Sequence, residues 1–379
     1  MSTFEHVVHP SASDVRLPPA AVNDGTVAWL RRNLFYSWQS TVLTLLLVAM
    51  LAKGGYSLIK WALLNAVWMV QHGPQGPATD VCRALEGSGA CWAIITEKYR
   101  LILFGTYPFN EQWRPALAIA LFISLFVVSA MRRFWRKELA IVWIGTIAAI
   151  AFLMWGGELG LEYVPQSRWG GLALTLIIAT IGVAIAFPLS ILVALGRRST
   201  LPVIKWLSVG YVEIIRGVPL ITLLFMASVM FPLLMPEGVN LDKLLRAQIA
   251  FILFFAAYLA EVVRGGLQAL PKGQYEAAHA LGLTYWQTTR RIVLPQALRL
   301  VIPPLVNNMI GFFKDTSLVL VIGLYDLLAA SQSAVGEPAW QGFAVETYVF
   351  VGLIYFTFCF AMSRYSQRVE ASLNQHKRR

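Results

Sequence analysis

The chain has 379 residues, of which 57% are hydrophobic and only 13% are charged, and its formal net charge is +11. Soluble globular proteins usually carry about a quarter charged residues, so this composition excludes an ordinary soluble domain and predicts an all-α, polytopic membrane protein. The Lys and Arg residues cluster in short loops beside apolar segments, where membrane topology places them. The positive charge therefore does not predict nucleic-acid binding.

Eight apolar stretches are long enough to cross about 30 Å of hydrocarbon as helices. They lie at about 38–57, 115–131, 139–156, 171–195, 209–235, 247–263, 301–323 and 347–364. Residues 1–36 are polar and lack a short apolar core with a cleavage site, which predicts an N-terminal tail rather than a secretory signal. The Trp-rich stretch 57–70, "SLIKWALLNAVWMV", is amphipathic and predicts an interfacial helix rather than a ninth span.

The loops differ in their basic residues, and this difference predicts an orientation. The loops 132–137 and 196–205, the loop 264–300 and the tail 371–379 are basic, whereas 157–169 holds one Arg and 324–346 holds no Lys or Arg. Because basic loops stay in the cytoplasm, both termini and the loop 264–300 are predicted to be cytoplasmic. The long loop 71–113 is predicted to face the other side.

The cysteines and histidines predict no metal site, since none of them cluster with metal-ligand spacing. Cys82 and Cys91 share the loop 71–113, where a disulfide bond could persist, and both the bridged and the free forms remain open. Cys359 lies in an apolar span and is predicted to be a small packing residue.

The loop 264–300 contains two helix patterns that meet at an elbow. A helix from about 274 to 281 precedes Gly282, and glycine suits a helix C-terminus because it readily enters the left-handed conformation. Thr284 and Gln287 have the spacing of a capping box. That box predicts a second helix, "YWQTTRRIV", which ends near Pro295.

The first of these helices presents small residues to the cytoplasm. Ala277, Ala278 and Leu281 form a predicted knob, and Glu276 stands at its start, where the helix dipole favours a negative charge. Small side chains allow another protein to approach closely. The alternative is an amphipathic loop that lies on lipid headgroups.

Seven positions of this loop match a family motif at fixed spacing. They are Glu276, Ala277, Ala278, Gly282, Ile292, Leu294 and Pro295. The pattern resembles the EAA loop of permease subunits in binding-protein-dependent ABC importers. By this resemblance, residues 274–283 are the coupling helix that sits in a groove of a separate ATPase subunit.

The resemblance covers residues 165–370 and implies the type I ABC importer transmembrane fold in the last five spans. The stretches "EIIRGVPLI" (213–221), "LPKGQYEAA" (270–278) and "KDTSL" (314–318) are similar to the polar amino acid branch of the family. The stretch "FGTYPFNEQWRP" (104–115) is similar to the M-type permease of the general L-amino acid transport system. The predicted divisions are a tail (1–36), an extension with three spans and a periplasmic loop (37–164), the transmembrane domain (165–370) and a basic tail (371–379).

The resemblance also implies the partners and the location. It implies a multi-pass protein of the bacterial inner membrane, an ATPase dimer, a related second permease in a heterodimer, a periplasmic amino-acid-binding protein and an L-amino acid substrate. The sequence has no G-x-x-x-x-G-K-[ST] motif, so this chain is predicted to bind no cofactor. ATP and Mg²⁺ would be held by the partner ATPase. We therefore expect a transport permease surrounded by lipid, and not an enzyme.

Span seven carries the polar residues that would line a substrate path. Ionisable groups inside a membrane usually face a cavity or a partner. The predicted path residues are Asn307, Asn308, Lys314, Asp315, Thr316 and Ser317. At 100° per residue, Asn307, Lys314 and Ser317 fall near one helix face, with Asn308 and Asp315 beside it. A zwitterionic amino acid needs partners of both signs, which these residues supply; the alternative is a structural network between helices.

The stretch "EIIRGVP" predicts a gate. Glu213 and Arg216 have the spacing of a pair on one helix face, and Gly217 and Pro219 predict a kink or break in the fifth span. This element could pack and gate the path near the cytoplasmic end, or expose backbone groups to substrate.

Other function classes explain less of the sequence. An ion-coupled secondary transporter or channel would leave the EAA motif unexplained. A membrane-embedded enzyme would need convergent catalytic groups, and the sequence shows no HExxH motif and no carboxylate dyad inside the membrane. The role of the three-span extension stays open between a dock for the binding protein and a brace.

Overall fold

A computed structural model describes residues 25–73, 76–77, 79–84, 89–136, 138–236 and 241–374. Most of the predicted N-terminal tail and the last five residues lie outside these ranges. The chain forms two compact units, one of Met1–Ala66 with Leu85–Ala90 and one of Val67–Ala84 with Cys91–Arg379. Each unit is described by itself.

The first unit holds helix α1 (Thr26–Leu34) and helix α2 (Trp38–Ile59), which continues as a π-helical turn (Lys60–Leu64). The Ser37 side chain caps α2 by accepting a hydrogen bond from the Ser40 N–H at 3.2 Å. The prediction of a separate interfacial helix at 57–70 is wrong. No helix breaker separates residues 57 to 64, so they lengthen the first span, and residues 65–70 are not helical.

The second unit begins with the loop after the first span and two further spans. It contains a short hairpin of β1 (His72–Gly73) and β2 (Gly76–Pro77), then α3 (Asp80–Ala84), α4 (Ala93–Phe104), α5 (Trp113–Ala130) and α6 (Glu138–Trp155). Single 3₁₀ turns lie at Phe109–Glu111 and Arg132–Phe134.

The stretch "FGTYPFNEQWRP" ties α5 to the end of α6. The Tyr107 hydroxyl donates to the Met154 carbonyl at 3.0 Å. The fully buried Arg114 donates from Nε to the Leu153 carbonyl at 2.5 Å and from Nη1 to the Glu162 carbonyl at 2.8 Å. The last carbonyls of a helix have no partner inside the helix, so this arginine supplies donors where α6 ends.

The remaining helices form the rest of the second unit. They are α7 (Gly171–Arg197), α8 (Pro202–Gly217), α9 (Leu220–Phe225), α10 (Phe231–Leu233), α11 (Lys243–Gln268), α12 (Lys272–Ala280), α13 (Tyr285–Thr288), α14 (Leu294–Asp315), α15 (Leu327–Gly336) and α16 (Ala344–Asn374). The apolar faces of α7 and α11 pack together along the bundle and supply much of its core. We call the ends of α7 and α11 next to α12 the EAA side, and the opposite end the far side.

The fifth predicted span is broken, as Gly217 and Pro219 indicate. Helix α8 and the segment Leu220–Leu233 meet at an angle of 101°. Proline cannot donate the backbone hydrogen bond that would continue the helix. Seven helices are long and apolar enough to cross a membrane within the described residues, and this bent pair makes eight if it counts as one span. The prediction of about eight spans is confirmed on that count.

On the far side, the chain segments approach backbone to backbone. Gly171 pairs with Asp326 of the short strand β3 (Tyr325–Asp326), and Gly170 pairs with Tyr325. Gly171 has φ +64°, and a Cβ there would overlap the backbone of Leu103 at the end of α4. Only glycine combines this conformation with so close a contact.

A disulfide bond joins Cys82 and Cys91, whose Cα atoms lie 5.7 Å apart. The bridge packs in a small apolar cluster with Trp340 and Phe343, which lie between α15 and α16. The Cys91 N–H donates to the Glu346 carboxylate at 3.0 Å in a buried contact. Part of the loop 71–113 thus packs against the segment between α15 and α16 and bonds to the first turn of α16.

Candidate functional site

The EAA loop is two short helices joined by a well-ordered elbow. The first, α12, ends before Gly282, which has φ +71° as its position predicts. The Thr284 side chain accepts from the Gln287 N–H at 3.4 Å, and the Thr284 N–H donates to the Gln287 side chain at 2.9 Å. These two bonds are the predicted capping box.

The second helix of the loop does not end at Pro295, contrary to the prediction. Helix α13 passes through a π-helical turn (Thr289–Val293) directly into α14. Pro295 is the second residue of α14 and directly follows this π-helical turn. Membrane helices tolerate a proline where a local π-helical adjustment provides other partners for the freed backbone groups. The result is a continuous helical segment, Tyr285–Ile322, of 38 residues.

The motif residues differ in what they present to solvent. Leu281 is 77% exposed at the tip of the loop, and Glu276, Ala277 and Pro295 are also exposed. The prediction that Ala278 belongs to an exposed knob is wrong, because this residue is 1% exposed. Helix α12 packs against α13 and the π-helical turn, and enlarging a buried residue in a packed contact is normally destabilising. Two further motif residues, Ile292 and Leu294, are half-buried.

Two side chains, those of Arg198 and Gln296, bond the first helix of the EAA loop to neighbouring segments, and neither contact was predicted from the sequence. Arg198, just after α7, donates to the Leu267 carbonyl at 2.8 Å and to the Tyr275 hydroxyl of α12 at 3.0 Å. The Gln296 side chain of α14 donates to that of Gln274 at 3.1 Å. The basic character of the loop after α7 was visible in the sequence, but it pointed only to topology.

A cavity of about 360 Å³ lies between α11 and α14. The residues that line it are Phe254, Phe255, Tyr258, Asn307, Asn308, Gly311 and Asp315. Three aromatic rings therefore face two amides and one carboxylate. An aromatic wall with a few convergent polar groups is typical of a small-molecule site.

The structure brings together three of the six predicted path residues in this cavity, namely Asn307, Asn308 and Asp315. The cavity face of α14 runs through Gly311 to Asp315, and Lys314 is exposed outside the lining.

The other two predicted path residues begin the 3₁₀ segment Thr316–Ile322, which turns more tightly than the predicted α-helix. The buried Thr316 hydroxyl donates to the Phe313 carbonyl at 2.8 Å. The Ser317 hydroxyl donates to the Lys314 carbonyl, also at 2.8 Å. Both side chains thus bond to the backbone of the preceding turn.

The two charged residues of the predicted gate, Glu213 and Arg216, contact residues of other helices. The predicted pairing of Glu213 with Arg216 is wrong, because Glu213 bonds to Arg197 of α7 at 3.0 Å. Arg197 also bonds to Glu261 of α11 at 2.7 Å, and Glu261 in turn pairs with Arg264. Arg216 lies over the Tyr258 ring, 5.2 Å from its centre. Each charge thus has its partner on a neighbouring helix, which the spacing within α8 alone could not show.

Comparison with known proteins decides the family. The family model described as "Binding-protein-dependent transport system inner membrane component" matches residues 186–375. The chain belongs to this family. As a permease of this family it is a transport component of the membrane and not an enzyme.

The permease is similar to curated proteins along nearly its whole length. It is 48% identical to the inner membrane amino-acid ABC transporter permease protein YhdY of Escherichia coli K12, over 94% of this chain and 95% of that protein. It is 37% identical to the glutamate/glutamine/aspartate/asparagine transport system permease protein BztC of Rhodobacter capsulatus, over 95% of this chain and 96% of that protein. A crystal structure of an amino acid ABC transporter with histidines is 30% identical, covers 53% of this chain and 92% of its own, and has a TM-score of 0.48. The all-α, multi-pass membrane fold is confirmed.

A buried polar group on the far side of the permease was missed in the sequence. Asp326 is fully buried and caps α15 by accepting from the N–H groups of Leu328 and Ala329 at 3.2 Å and 2.9 Å. The Tyr355 hydroxyl donates to the same carboxylate at 3.3 Å. Burial raises the pKa of the Asp326 carboxyl to about 6, although its hydrogen bonds act in the opposite direction. The position of an Asp before a helix was the available signal.

Proposed function

We propose that this chain is a permease subunit of an ATP-driven importer for L-amino acids, and that it couples to a separate ATPase through residues 274–283. The continuous segment Tyr285–Ile322 carries the proposal. It begins in the EAA loop and contains Asn307, Asn308 and Asp315 of the cavity. Movement of the loop would reach the cavity along this one segment, and packed interfaces amplify small shifts because they are bistable rather than soft.

The cavity chemistry supports an amino acid as the substrate. Asp315 offers a negative charge to the α-ammonium group, and the amides of Asn307 and Asn308 offer donors to the α-carboxylate. The aromatic wall of Phe254, Phe255 and Tyr258 suits the carbon skeleton. The names of YhdY and BztC, both amino-acid permeases, support the same substrate class.

The partners follow from the same proposal. ATP and Mg²⁺ bind to a cytoplasmic ATPase dimer, a periplasmic binding protein delivers the amino acid, and a related second permease completes a heterodimer in the bacterial inner membrane. Both termini and the EAA side then face the cytoplasm. The far side, with its disulfide bond, faces the periplasm, where such bonds persist.

Affinity purification and uptake test this function together. The tagged chain, purified from its native membranes, should retain an ATPase subunit, and cells that contain it should take up a radiolabelled mixture of L-amino acids. Competition with a panel of single unlabelled L-amino acids then identifies the substrates. Deletion of the gene without any change in uptake, or a purified chain that retains no ATPase, would contradict the proposal.

A further inference from the structure

Two consecutive arginines end helix α7 on the EAA side, and each contacts a different part of the molecule. Arg197 is the last residue of α7, and Arg198 follows it directly. Cations are stabilised at a helix C-terminus by the helix dipole, which explains their placement but not the contacts that they make.

Arg198 bonds to both helices that the start of the EAA loop connects, α11 and α12. Its guanidinium donates to the carbonyl of Leu267, in the last turn of α11, and to the hydroxyl of Tyr275, in α12. The guanidinium carbon also lies 5.5 Å from the centre of the Tyr275 ring. A displacement of α12 relative to α11 must therefore change the contacts of Arg198.

Arg197 holds two other helices with one side chain. Its Nη1 bonds to Glu261 of α11 at 2.7 Å and its Nη2 to Glu213 of α8 at 3.0 Å. The arginine side chain is only 11% exposed, whereas Glu213 is 61% exposed. The planar guanidinium can bond two carboxylates at once, and a lysine ammonium lacks this forked geometry.

The two carboxylates lie one helical turn from a contact at the edge of the cavity. Glu213 is three residues before Arg216 on α8, and Glu261 is three residues after Tyr258 on α11. Arg216 covers the ring of Tyr258, which is the α11 residue of the cavity lining closest to the EAA loop. The two ion pairs of Arg197 therefore hold α8 and α11 in the relative position that places Arg216 over Tyr258.

We propose that Arg197 and Arg198 form a relay between the EAA loop and the cavity. When α12 moves, Tyr275 displaces Arg198, the end of α7 shifts, and Arg197 releases one of its two carboxylates. Helices α8 and α11 then separate, and Arg216 leaves the Tyr258 ring. Both arginines are positioning residues. The relay rests on the proposed coupling through residues 274–283.

A double-mutant cycle in the assembled transporter tests the relay. The purified complex is reconstituted with its binding protein, and uptake of a radiolabelled mixture of L-amino acids is measured beside ATP hydrolysis. Arg197→Gln and Arg198→Gln should each reduce the amino acid transported per ATP hydrolysed by about tenfold. If both arginines act in one relay, losing either one already breaks it. The double variant should therefore transport no more than about twofold less amino acid per ATP than either single variant.

Milder variants keep the test informative if a charge-removing variant fails to assemble. Tyr275→Phe removes the hydroxyl that accepts from Arg198 and keeps the ring, so it should reduce the same ratio by about threefold. Arg197→Lys should restore only part of the loss, because an ammonium cannot replace the fork. Lys205→Gln, at an exposed position of α8, is the control and should leave the ratio unchanged.

The outcomes separate the relay from the function on which it rests. Multiplied losses in the double variant, or a normal ratio in Tyr275→Phe, would overturn the relay while the wild-type complex still transports. Loss of the ATPase from purified Arg198→Gln would also overturn it, since Arg198 would then only hold the docking surface. A wild-type complex with neither ATPase nor uptake would instead refute the proposed function.

Discussion

The guanidinium carbon of Arg216 lies 5.2 Å from the centre of the Tyr258 ring. The same ring lines the cavity together with Asp315. A cation therefore lies against one ring of the aromatic wall, and a carboxylate lines the same cavity. An aromatic ring next to a guanidinium is stabilised in that position by the cation–π interaction.

Replacement of Asp315 by Asn should reduce amino acid uptake by at least about tenfold. The variant loses a charge-assisted hydrogen bond, which contributes about 1.5–3 kcal/mol, and about 1.4 kcal/mol corresponds to a factor of ten. Lys314→Gln is the matched control, because Lys314 is adjacent but exposed outside the cavity lining. Uptake measured at equal amounts of assembled complex checks this, and equal losses in the two variants would argue against a specific role for Asp315.

The exposed tip of the EAA loop should be required for ATPase binding. Leu281→Glu places a charge where an apolar side chain is 77% exposed, and burying that charge in a partner groove is costly. We expect the ATPase to be lost from the affinity-purified complex while the permease itself remains stable. Tyr163→Glu, at another exposed apolar position, should retain it. Retention of the ATPase by Leu281→Glu would exclude this tip from the interface.

The stability of the permease should fall as the pH rises through about 6, the raised pKa of the buried Asp326. The fold favours the protonated carboxyl, so this stabilisation is complete below the unfolded-state pKa of about 4 and is lost above the folded-state pKa. A shift of about two pKa units corresponds to about 3 kcal/mol. Thermal unfolding in detergent between pH 4 and 8 should show the decline in the wild type and a flatter profile in Asp326→Asn. Identical profiles would contradict the assignment.

Substitutions at two glycines should distinguish the cost of a left-handed backbone from the cost of steric overlap. Gly171 and Gly160 both have positive φ, but a Cβ overlaps neighbouring backbone only at Gly171 and meets open space at Gly160. Gly160→Ala should cost about 1–2 kcal/mol for the left-handed conformation, and Gly171→Ala should cost a further 1–3 kcal/mol or more, on the order of an overpacked core. Thermal unfolding should show the larger decrease in Tm for Gly171→Ala, and equal decreases would mean that the backbones can separate freely.

The features that could be predicted from the sequence depend on neighbours in the chain. The capping box of Thr284 and Gln287, the left-handed Gly282 and the break at Gly217–Pro219 are each specified within a few residues. Turn and cap chemistry acts at this short range. The same reasoning failed at Pro295, where a π-helical turn carries the helix past a residue that normally ends one.

The features that were missed depend on residues far apart in the sequence. Arg198 bonds to Tyr275, 77 positions away, and the Leu327 N–H donates to the Thr175 hydroxyl, 152 positions away. The burial of Ala278 has a nearer cause, because α12 packs against the rest of its own loop. A pattern on one helix shows which side chains are polar, but the partners on other helices decide which of them face a cavity.

ATP-dependent uptake tests the central claim most directly. Proteoliposomes that contain the purified complex are loaded with ATP and Mg²⁺, or with ADP and Mg²⁺, and are given the binding protein and a radiolabelled mixture of L-amino acids outside. We predict uptake only with ATP inside, at a rate that an imposed proton or sodium gradient does not change. Uptake driven by such a gradient in vesicles without ATP would contradict the claim that this permease works through a separate ATPase.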